Sequence, residues 1–398
     1  MRGRVAKALL IAAMLTLLAA AAGTVAAGAR STKSTVKVGI VYSRTGLLAV
    51  YGAEYYEGLQ LGMKYLTHGT NTVNGHKIQF TYTDDAGDPA KAVSAAKDLI
   101  GQGYKILAGS TSSGVGIQVA PIAQQNNVLF IAGPSASDAL TGINRNTFRS
   151  GRQTYQDVLA ANSFLGRTTG KKIVAFVQDS AFGNGNAAAV SAVLGGKGHS
   201  VSTIAVPLTA QDFTPFAQRV VNAKPDLVFV AWAGSSSLAM WRALEQQGVF
   251  QQARVVTGLA ERATWSTFGT VGTRISFLSH YVYNGPSRKD KINNWLVQQM
   301  KKRGQLPDLF TPDGFVAAQM IVHAVQKADG DDVGKMISAL EGWRFTGPKG
   351  PEYIRPQDHA LLQPMFQVKL KQVGNRWVPV VLKRISPGNV VPPVRPFR

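Results

Sequence analysis

The chain has 398 residues, of which 45% are hydrophobic and 16% charged, so its composition excludes a disordered chain and its length favours two domains. It contains no cysteine, which excludes disulfides and a lipid-modified N-terminal cysteine. The formal net charge is +21, which favours anionic surfaces or substrates as partners. The basic residues are scattered, with no run denser than Lys301–Arg303, and we therefore expect no nucleic-acid partner.

Residues 1–29 are predicted to be a secretory signal peptide. Arg2, Arg4 and Lys7 precede an apolar run from Ala8 to Ala22, and small residues then fit a cleavage site. An uncleaved membrane anchor is the alternative, although the run is shorter than the ~20 residues that span a bilayer. Loss of the three cations leaves 21 − 3 = +18. We expect an exported protein, in the periplasm or at the outer face of the cytoplasmic membrane and not lipid-anchored through cysteine.

The first predicted unit, residues 36–66, is a strand, a loop and a helix. Val38 and Ile40 lie in a β-branched run, and Leu59 and Met63 recur at helical spacing. The loop between them reads SRTG-x4-YG and contains Tyr51. Loops at the carboxyl ends of parallel strands are where ligands bind in open α/β sheets. We therefore expect a binding site at this loop.

Three further strand, loop and helix units are predicted before residue 153. In the second unit Asp88 caps a helix that begins at Pro89, and the neighbouring DD pair is predicted to serve the loop rather than acid/base chemistry. Small hydroxyl residues fill the next two loops, GSTSSG and PSAS. A helix start beside Ser113 forms an anion site without any lysine. The alternative for Ser113 is a plain helix N-cap.

A second series of alternating strands and helices begins at Lys172. The strands read KIVAFVQD, VSTIAVPL, DLVFVAW and RVVTG, which predicts a second parallel-sheet domain. The strand ISFLSHYVY is expected to lead back towards the first domain, and a hairpin at Gly374-Asn375 closes the fold.

The predicted fold class is α/β, with two Rossmann-like lobes of parallel sheet joined by a multi-strand hinge. We assign residues 36–152 and 282–345 to lobe 1 and residues 153–281 and 346–386 to lobe 2. The Pro-rich residues 387–398 are expected to be a loose tail.

The combined pattern resembles the type I periplasmic solute-binding proteins of ABC transporters, in particular the branched-chain amino acid (leucine/isoleucine/valine) group. The SRTG-x4-YG opening, the DDAGDPAKAV turn and the DSAFG segment that begins at Asp179 all match this group, and the agreement extends along more than 200 residues. The resemblance implies a ligand cleft at the carboxyl ends of both sheets, with closure about the hinge.

The resemblance also implies roles for particular residues. Ser113 falls where relatives hold the ligand's α-carboxylate, and the loop at Ala136 falls where they receive its ammonium group. Amino-acid binders have a threonine at Ala136, tyrosines at Phe182 and Ala233, and a glutamate at Leu259, so these departures make a strict leucine-type specificity an open question. The predicted ligand-binding residues are Tyr51, Ser112, Ser113, Ser135, Ala136, Ser137, Phe182, Trp232, Ala233 and Glu261.

Glu261 is the candidate counter-ion for a ligand ammonium group. It lies two residues after Leu259, and which of the two faces the cleft is left open. A surface glutamate that caps a helix is the alternative for Glu261.

The predicted function is capture of an amino acid or a similar small carboxylate and its delivery to an ABC permease in the membrane. We predict a monomer without catalytic residues, metal or cofactor. A ligand sensor of the same fold that signals to a membrane partner is one alternative. An exported α/β enzyme is another, but the sequence has no G-x-S-x-G elbow, no H-E-x-x-H pair and no dinucleotide fingerprint.

Overall fold

Two sheets, each with helices on both faces, organise the chain. The structure, a computed structural model, describes residues 33–162, 164–166, 168–258, 261–286 and 289–398. The predicted signal peptide and Leu259 therefore lie outside the described residues. Within those ranges, no helix combines the length and apolar character needed to cross a bilayer.

The strands are β1 (Val36–Tyr42), β2 (Thr72–Val73), β3 (His76–Asp84), β4 (Ile106–Gly109), β5 (Leu129–Ala132), β6 (Thr147–Arg149), β7 (Lys172–Asp179), β8 (Ser200–Pro207), β9 (Leu227–Ala231), β10 (Arg254–Gly258), β11 (Ile275–Ser279), β12 (Arg344–Gly347), β13 (Gly350–Ile354), β14 (Leu361–Leu362), β15 (Met365–Val373) and β16 (Arg376–Ile385). The α-helices are α1 (Ala49–Leu66), α2 (Pro89–Gly101), α3 (Ser113–Gln125), α4 (Thr154–Asn162), α5 (Ala181–Val193), α6 (Thr214–Ala223), α7 (Ser237–Gln246), α8 (Val249–Gln252), α9 (Lys291–Lys301), α10 (Thr311–Ala328) and α11 (Val333–Leu340). Short 3₁₀ helices cover Asp138–Leu140, Gly195–Lys197, Arg262–Thr273 and Pro387–Asn389.

The first sheet has the strand order β2-β3-β1-β4-β5-β6. All neighbours from β3 to β6 are parallel, and β2 joins β3 through a tight antiparallel turn. Asn74 and Gly75 in that turn both have positive φ, as a two-residue hairpin requires. Side chains alternate between the two faces, so Ile40 packs towards α1, α10 and α11, whereas Val41 packs towards α2 and α3.

Two glycines allow α1 and α10 to pack closely. A Cβ atom on Gly58 would lie 1.8 Å from the carbonyl oxygen of Thr311, and one on Gly314 would lie 1.9 Å from that of Tyr55. Only hydrogen fits at these points, so backbone meets backbone. This contact fixes the position of α1, whose first turn contains Tyr51 and lies beside the cleft.

The second sheet has the order β16-β15-β11-β10-β9-β7-β8. Its strands from β11 to β8 are parallel, and β15 and β16 are antiparallel. Helices α4 and α5 cover one face, and α6 and α7 cover the other. The predicted second Rossmann-like lobe is therefore present. The chain crosses between the lobes after β6, after β11 and after β14.

The predicted lobe boundary near residue 346 differs from the structure. Strands β12, β13 and β14 form a small antiparallel sheet. Ile354 and Leu361 of that sheet are buried in the core of the first lobe, with α10 and α11. Their inward side chains find apolar partners there, so the chain passes into the second lobe only at β15.

The C-terminal residues, expected to be loose, make specific contacts. Val390 is fully buried, the backbone N–H of Arg395 donates to Asp358 at 3.0 Å, and Arg355 Nη1 donates to the carbonyl of Pro392 at 2.8 Å. The physical reason is the buried pair of Arg355 and Asp358, because its remaining hydrogen-bonding atoms need partners in the interior. The tail's backbone supplies them.

Candidate functional site

A cavity of about 450 Å³ lies between the lobes, at the carboxyl ends of both sheets. Its walls include residues that follow β1, β3, β4, β5 and β6 in the first lobe and β7, β8, β9, β10 and β11 in the second. Both lobes therefore contact whatever occupies it, at the position where open α/β sheets bind ligands.

Most of the predicted ligand residues line this cavity, while three lie behind its wall. The lining residues are Tyr51, Ser112, Ser113, Ala136, Phe182, Trp232 and Ala233. Ser135, Ser137 and Glu261 are buried but are not part of the lining.

The start of helix α3 differs from the plain N-cap considered for Ser113. Ser113 is the first residue of the helix, and the N-cap residue is Ser112, whose side chain makes no capping hydrogen bond. The hydroxyl of Ser113 accepts a hydrogen bond of 3.2 Å from the backbone N–H of Ser137. The helix therefore presents its first N–H groups, and the positive end of its dipole, at the cavity wall.

Ser135 and Ser137 hold the two serine loops together. The hydroxyl of Ser135 donates to the carbonyl oxygen of Ser110 at 2.6 Å, and also lies 2.9 Å from that of Ser112. The hydroxyl of Ser137 accepts from the backbone N–H of Ala139. These hydroxyls are engaged by protein, so they shape the loops behind Ser112 and Ala136.

Arg149 also stabilises the loop that contains Ser135. Its buried guanidinium donates to the carbonyl oxygens of Ser135 at 2.7 Å and Arg152 at 2.9 Å, and to the hydroxyl of Thr141 at 2.7 Å. Burial lowers the pKa of Arg149 to about 10, so it remains charged at neutral pH.

Tyr51 joins the two lobes. Its hydroxyl donates to Glu261 Oε2 at 3.0 Å and accepts from the backbone N–H of Gly234 at 3.3 Å. Burial, followed by the charge of Glu261, raises the pKa of Tyr51 well above its ordinary value, and burial raises that of Glu261. Glu261 is only 5% exposed, so it is not the surface glutamate that the alternative assumed.

Aromatic rings form much of the wall. Trp232 stacks on Phe176 with ring centroids 5.7 Å apart and meets Phe213 edge-on at 5.3 Å, while its indole N–H donates to Ser236. Tyr51 and Phe310 lie 4.7 Å apart. Their positions are fixed by packing, so the cavity offers rigid apolar surface to a ring.

Sequence reasoning missed the ion pair of Arg152 and Asp157, which lines the cavity. Arg152 Nε donates to both carboxylate oxygens of Asp157, at 3.2 and 2.9 Å. Among the described residues, neither Nη nitrogen of Arg152 has a hydrogen-bond partner. The signal that could have found Arg152 was its position just after β6, at the same sheet edge as the serine loops.

His280, also missed, connects the cavity to a buried chain of charges. His280 Nε2 lies 3.4 Å from Asp313 Oδ2, and Lys349 Nζ lies 3.1 Å from Asp313 Oδ1 and 3.3 Å from Glu352 Oε2. Although burial alone would raise it, the pKa of Asp313 is lowered by Lys349 and His280. Burial raises the pKa of Glu352 to about 7 and lowers that of His280.

Comparison with known proteins agrees with this architecture. A family model described as periplasmic binding protein matches residues 35–375. The chain belongs to the periplasmic binding protein family. This binding protein is 26% identical over 313 residues to Leu/Ile/Val-binding protein homolog 3 of Brucella melitensis, an alignment that covers 77% of this chain and 83% of the homologue.

Solved structures give the same assignment. An ABC-type branched-chain amino acid transporter protein from Rhodopseudomonas palustris is 31% identical, with a TM-score of 0.75, and the match covers 91% of this chain and 100% of that one. A solute-binding protein of the same organism, solved with 4-hydroxybenzoate, has a TM-score of 0.81 at 21% identity, covering 88% of this chain and 97% of that one. This binding protein is therefore a type I solute-binding protein of ABC transporters.

Proposed function

We propose that this binding protein captures a small aromatic carboxylate in the interlobe cavity and delivers it to an ABC permease. The observation that carries the proposal is the cavity wall itself, which combines rigid aromatic rings, the N-terminus of α3 and the Arg152–Asp157 pair. A ligand drives closure only to the extent that it contacts both lobes. Residues of both lobes line this cavity, so a ligand that fills it contacts both.

The N-terminus of α3 is the place for the carboxylate. It carries the positive end of a helix dipole and has the hydroxyl of Ser113 beside it. The Arg152–Asp157 pair has no net charge, but it offers both donors and acceptors. It therefore suits a neutral polar group such as a hydroxyl, which donates to Asp157 and accepts from Arg152.

The distance between the N-terminus of α3 and the Arg152–Asp157 pair favours a ligand that is polar at both ends. Ser113 follows β4 and Arg152 follows β6, with β5 between these strands. Adjacent strands are about 4.8 Å apart, so the two strand ends are separated by about 10 Å. An aromatic ring between the polar ends would pack against the rings of the wall.

A branched-chain amino acid is the second candidate, favoured by the names of the relatives. Its ammonium group would need an acidic partner. Asp157 is the acidic residue among the described lining residues, and Arg152 already pairs with it. Glu261 lies behind Tyr51 and accepts a hydrogen bond from its hydroxyl. Both carboxylates are thus engaged, which supports an aromatic acid over an α-amino acid.

The cellular role that follows is import. Export to the periplasm or to the outer face of the cytoplasmic membrane would place the cavity where solutes arrive. The permease would receive the closed form. Sensing through a membrane partner would use the same capture step, and product formation from a bound compound would favour an enzyme instead.

A thermal-shift screen of residues 30–398 tests the ligand class. We expect 4-hydroxybenzoate to give a larger shift than benzoate, and the uncharged 4-hydroxybenzamide to give none. A ligand at 100 times its Kd adds about 2.7 kcal/mol of stability. A larger shift with leucine would replace the aromatic acid by an amino acid. If no compound shifts the melting curve or contracts the protein in X-ray scattering, capture itself is wrong.

A further inference from the structure

The β15–β16 hairpin presents an outward face of alternating basic and apolar residues. Three cross-strand pairs make up this face: Lys369 with Val380, Lys371 with Val378, and Val373 with Arg376. Each pair joins one cation to one valine. We call these six residues the hairpin face.

The hairpin face is exposed, whereas the other side of the same hairpin is packed. Val373 is 56% exposed and Val380 is 40% exposed. The three cations are exposed as well. On the opposite side, Leu370 is 3% exposed and Trp377 packs against the core of the second lobe. Val378 is half-buried, but Val373 and Val380 do not fill the core of this chain.

The charge around this face has one sign. Residues 359–398 contain no aspartate or glutamate, although they contain seven lysines and arginines. Lys383 and Arg384, also on β16, are exposed. Local cations thus reinforce the formal charge of 21 − 3 = +18 that remains without the predicted signal peptide. A partner for this face must be anionic and must also accept apolar side chains.

We propose that the hairpin face is a docking surface for an anionic phospholipid membrane. Basic side chains with long apolar stems reach the headgroups, while apolar side chains between them enter the boundary with the acyl chains. Residues on one face of a strand recur every ~6.8 Å, so the three cations lie close enough to act together. Nucleic acid fits less well, because it binds through aromatic or polar side chains rather than valines.

The position of the hairpin leaves the ligand cavity open. Strand β15 is antiparallel to β11, and Phe366 pairs with Ser279 at the cavity end of the sheet. Lys371 and Val373 lie towards the other end, and the hairpin turn follows them. Docking through the hairpin face therefore holds the protein at a membrane while ligands still enter. This role is independent of ligand identity, so its failure would leave the proposed capture untouched.

Vesicle flotation of residues 30–398 tests the proposal. The protein is expected to float with phosphatidylcholine vesicles that contain about 30% phosphatidylglycerol, and not with pure phosphatidylcholine. Binding is expected at about 50 mM salt and to be lost at about 500 mM. Absence of binding to the anionic vesicles at low salt would overturn the proposal.

Two triple variants with the same change in net charge separate the hairpin face from general charge. K369Q/K371Q/R376Q is expected to lower the partition coefficient about 100-fold, because each cation contributes roughly five-fold near an anionic surface. K64Q/K91Q/K97Q, on exposed positions of α1 and α2, is expected to keep most of the binding. Equal losses in the two variants would overturn the proposal.

The apolar half of the face has its own test. V373S/V380S keeps every charge and removes exposed apolar surface, so we expect several-fold weaker binding to the same vesicles. Unchanged binding would show that the valines do not enter the membrane. If the unaltered protein instead bound a detergent-solubilised permease through this face and no vesicles, the partner would be a protein and the membrane proposal would be wrong.

Discussion

The hydroxyl of Tyr51 donates a hydrogen bond of 3.0 Å to Oε2 of Glu261, which lies 210 residues further along the chain and in the other lobe. The same hydroxyl accepts a hydrogen bond from the backbone N–H of Gly234. Tyr51 also lines the cavity. One side chain of the first lobe thus lines the cavity and contacts two groups of the second lobe, so we expect it to couple ligand occupancy to closure of the lobes.

The Tyr51→Phe variant tests this coupling. It keeps the ring but removes the hydroxyl, and a hydrogen bond to a charged group contributes about 1.5–3 kcal/mol. Because this bond joins the two lobes around the cavity, we expect its loss to lower ligand affinity about 10-fold in calorimetry. Tyr65→Phe, on the same helix but packed against Trp295, is the control and is expected to bind normally. Equal affinities for the two variants would contradict the coupling.

The Ser113→Ala variant tests the carboxylate position. Loss of one hydrogen bond to the ligand, together with the bond from the backbone of Ser137, is expected to cost about 1 kcal/mol. Benzoate and 4-hydroxybenzoate share the carboxylate, so both should weaken by the same factor of about five. A loss confined to 4-hydroxybenzoate would reverse the proposed orientation of the ligand.

The double variant Arg152→Gln/Asp157→Asn tests the other end of the cavity. Neutralising both partners avoids leaving one buried charge unpaired. The variant is expected to bind 4-hydroxybenzoate no better than benzoate, because the groups that recognise the hydroxyl are altered. Lys171→Gln/Asp226→Asn removes an exposed pair of similar length, 3.0 Å, and should keep the preference. Preserved preference in the cavity variant would exclude Arg152 and Asp157 from recognition.

Glu352 predicts a specific dependence of stability on pH. Burial raises its pKa to about 7, so between its unfolded value near 4.5 and pH 7 the folded state binds more protons than the unfolded state. Stability from this group therefore falls as the pH rises through that window. Glu352→Gln imitates the protonated form, so its Tm should match the parent at about pH 5 and exceed it at about pH 8. A constant difference across pH would contradict the shifted pKa.

Asp358 is expected to act in folding rather than in ligand binding. It accepts hydrogen bonds from Arg355 and from the backbone of Arg395, and it does not line the cavity. Asp358→Ala leaves the buried guanidinium without its partner and is expected to cost about 3–5 kcal/mol of unfolding free energy. The exposed Asp98→Ala should change it by less than about 0.5 kcal/mol. Ligand affinity measured below the melting temperature should be unchanged in both, and a selective loss in Asp358→Ala would contradict a structural role.

Local sequence patterns predicted the elements of this fold well. The run KIVAFVQD is strand β7 from Lys172 to Asp179, and helix α2 begins at Pro89 with Asp88 as its cap. Asp84 and Asp85 serve their loop, as predicted, since they accept hydrogen bonds from the backbone N–H groups of Ala86 and Gly87. These features depend on neighbours in the chain, so a short window of sequence contains the information.

By itself, the sequence determined the two α/β lobes and the loops at their strand ends, because periodicity and turn residues act over a few positions. Only the tertiary structure decided which side chains in those loops face the cavity. It placed Glu261 behind Tyr51, and it brought His280, Asp313 and Lys349 together from distant segments. Such pairings depend on which strand ends the sheet order sets side by side and on how buried charges find partners, and no local pattern encodes either.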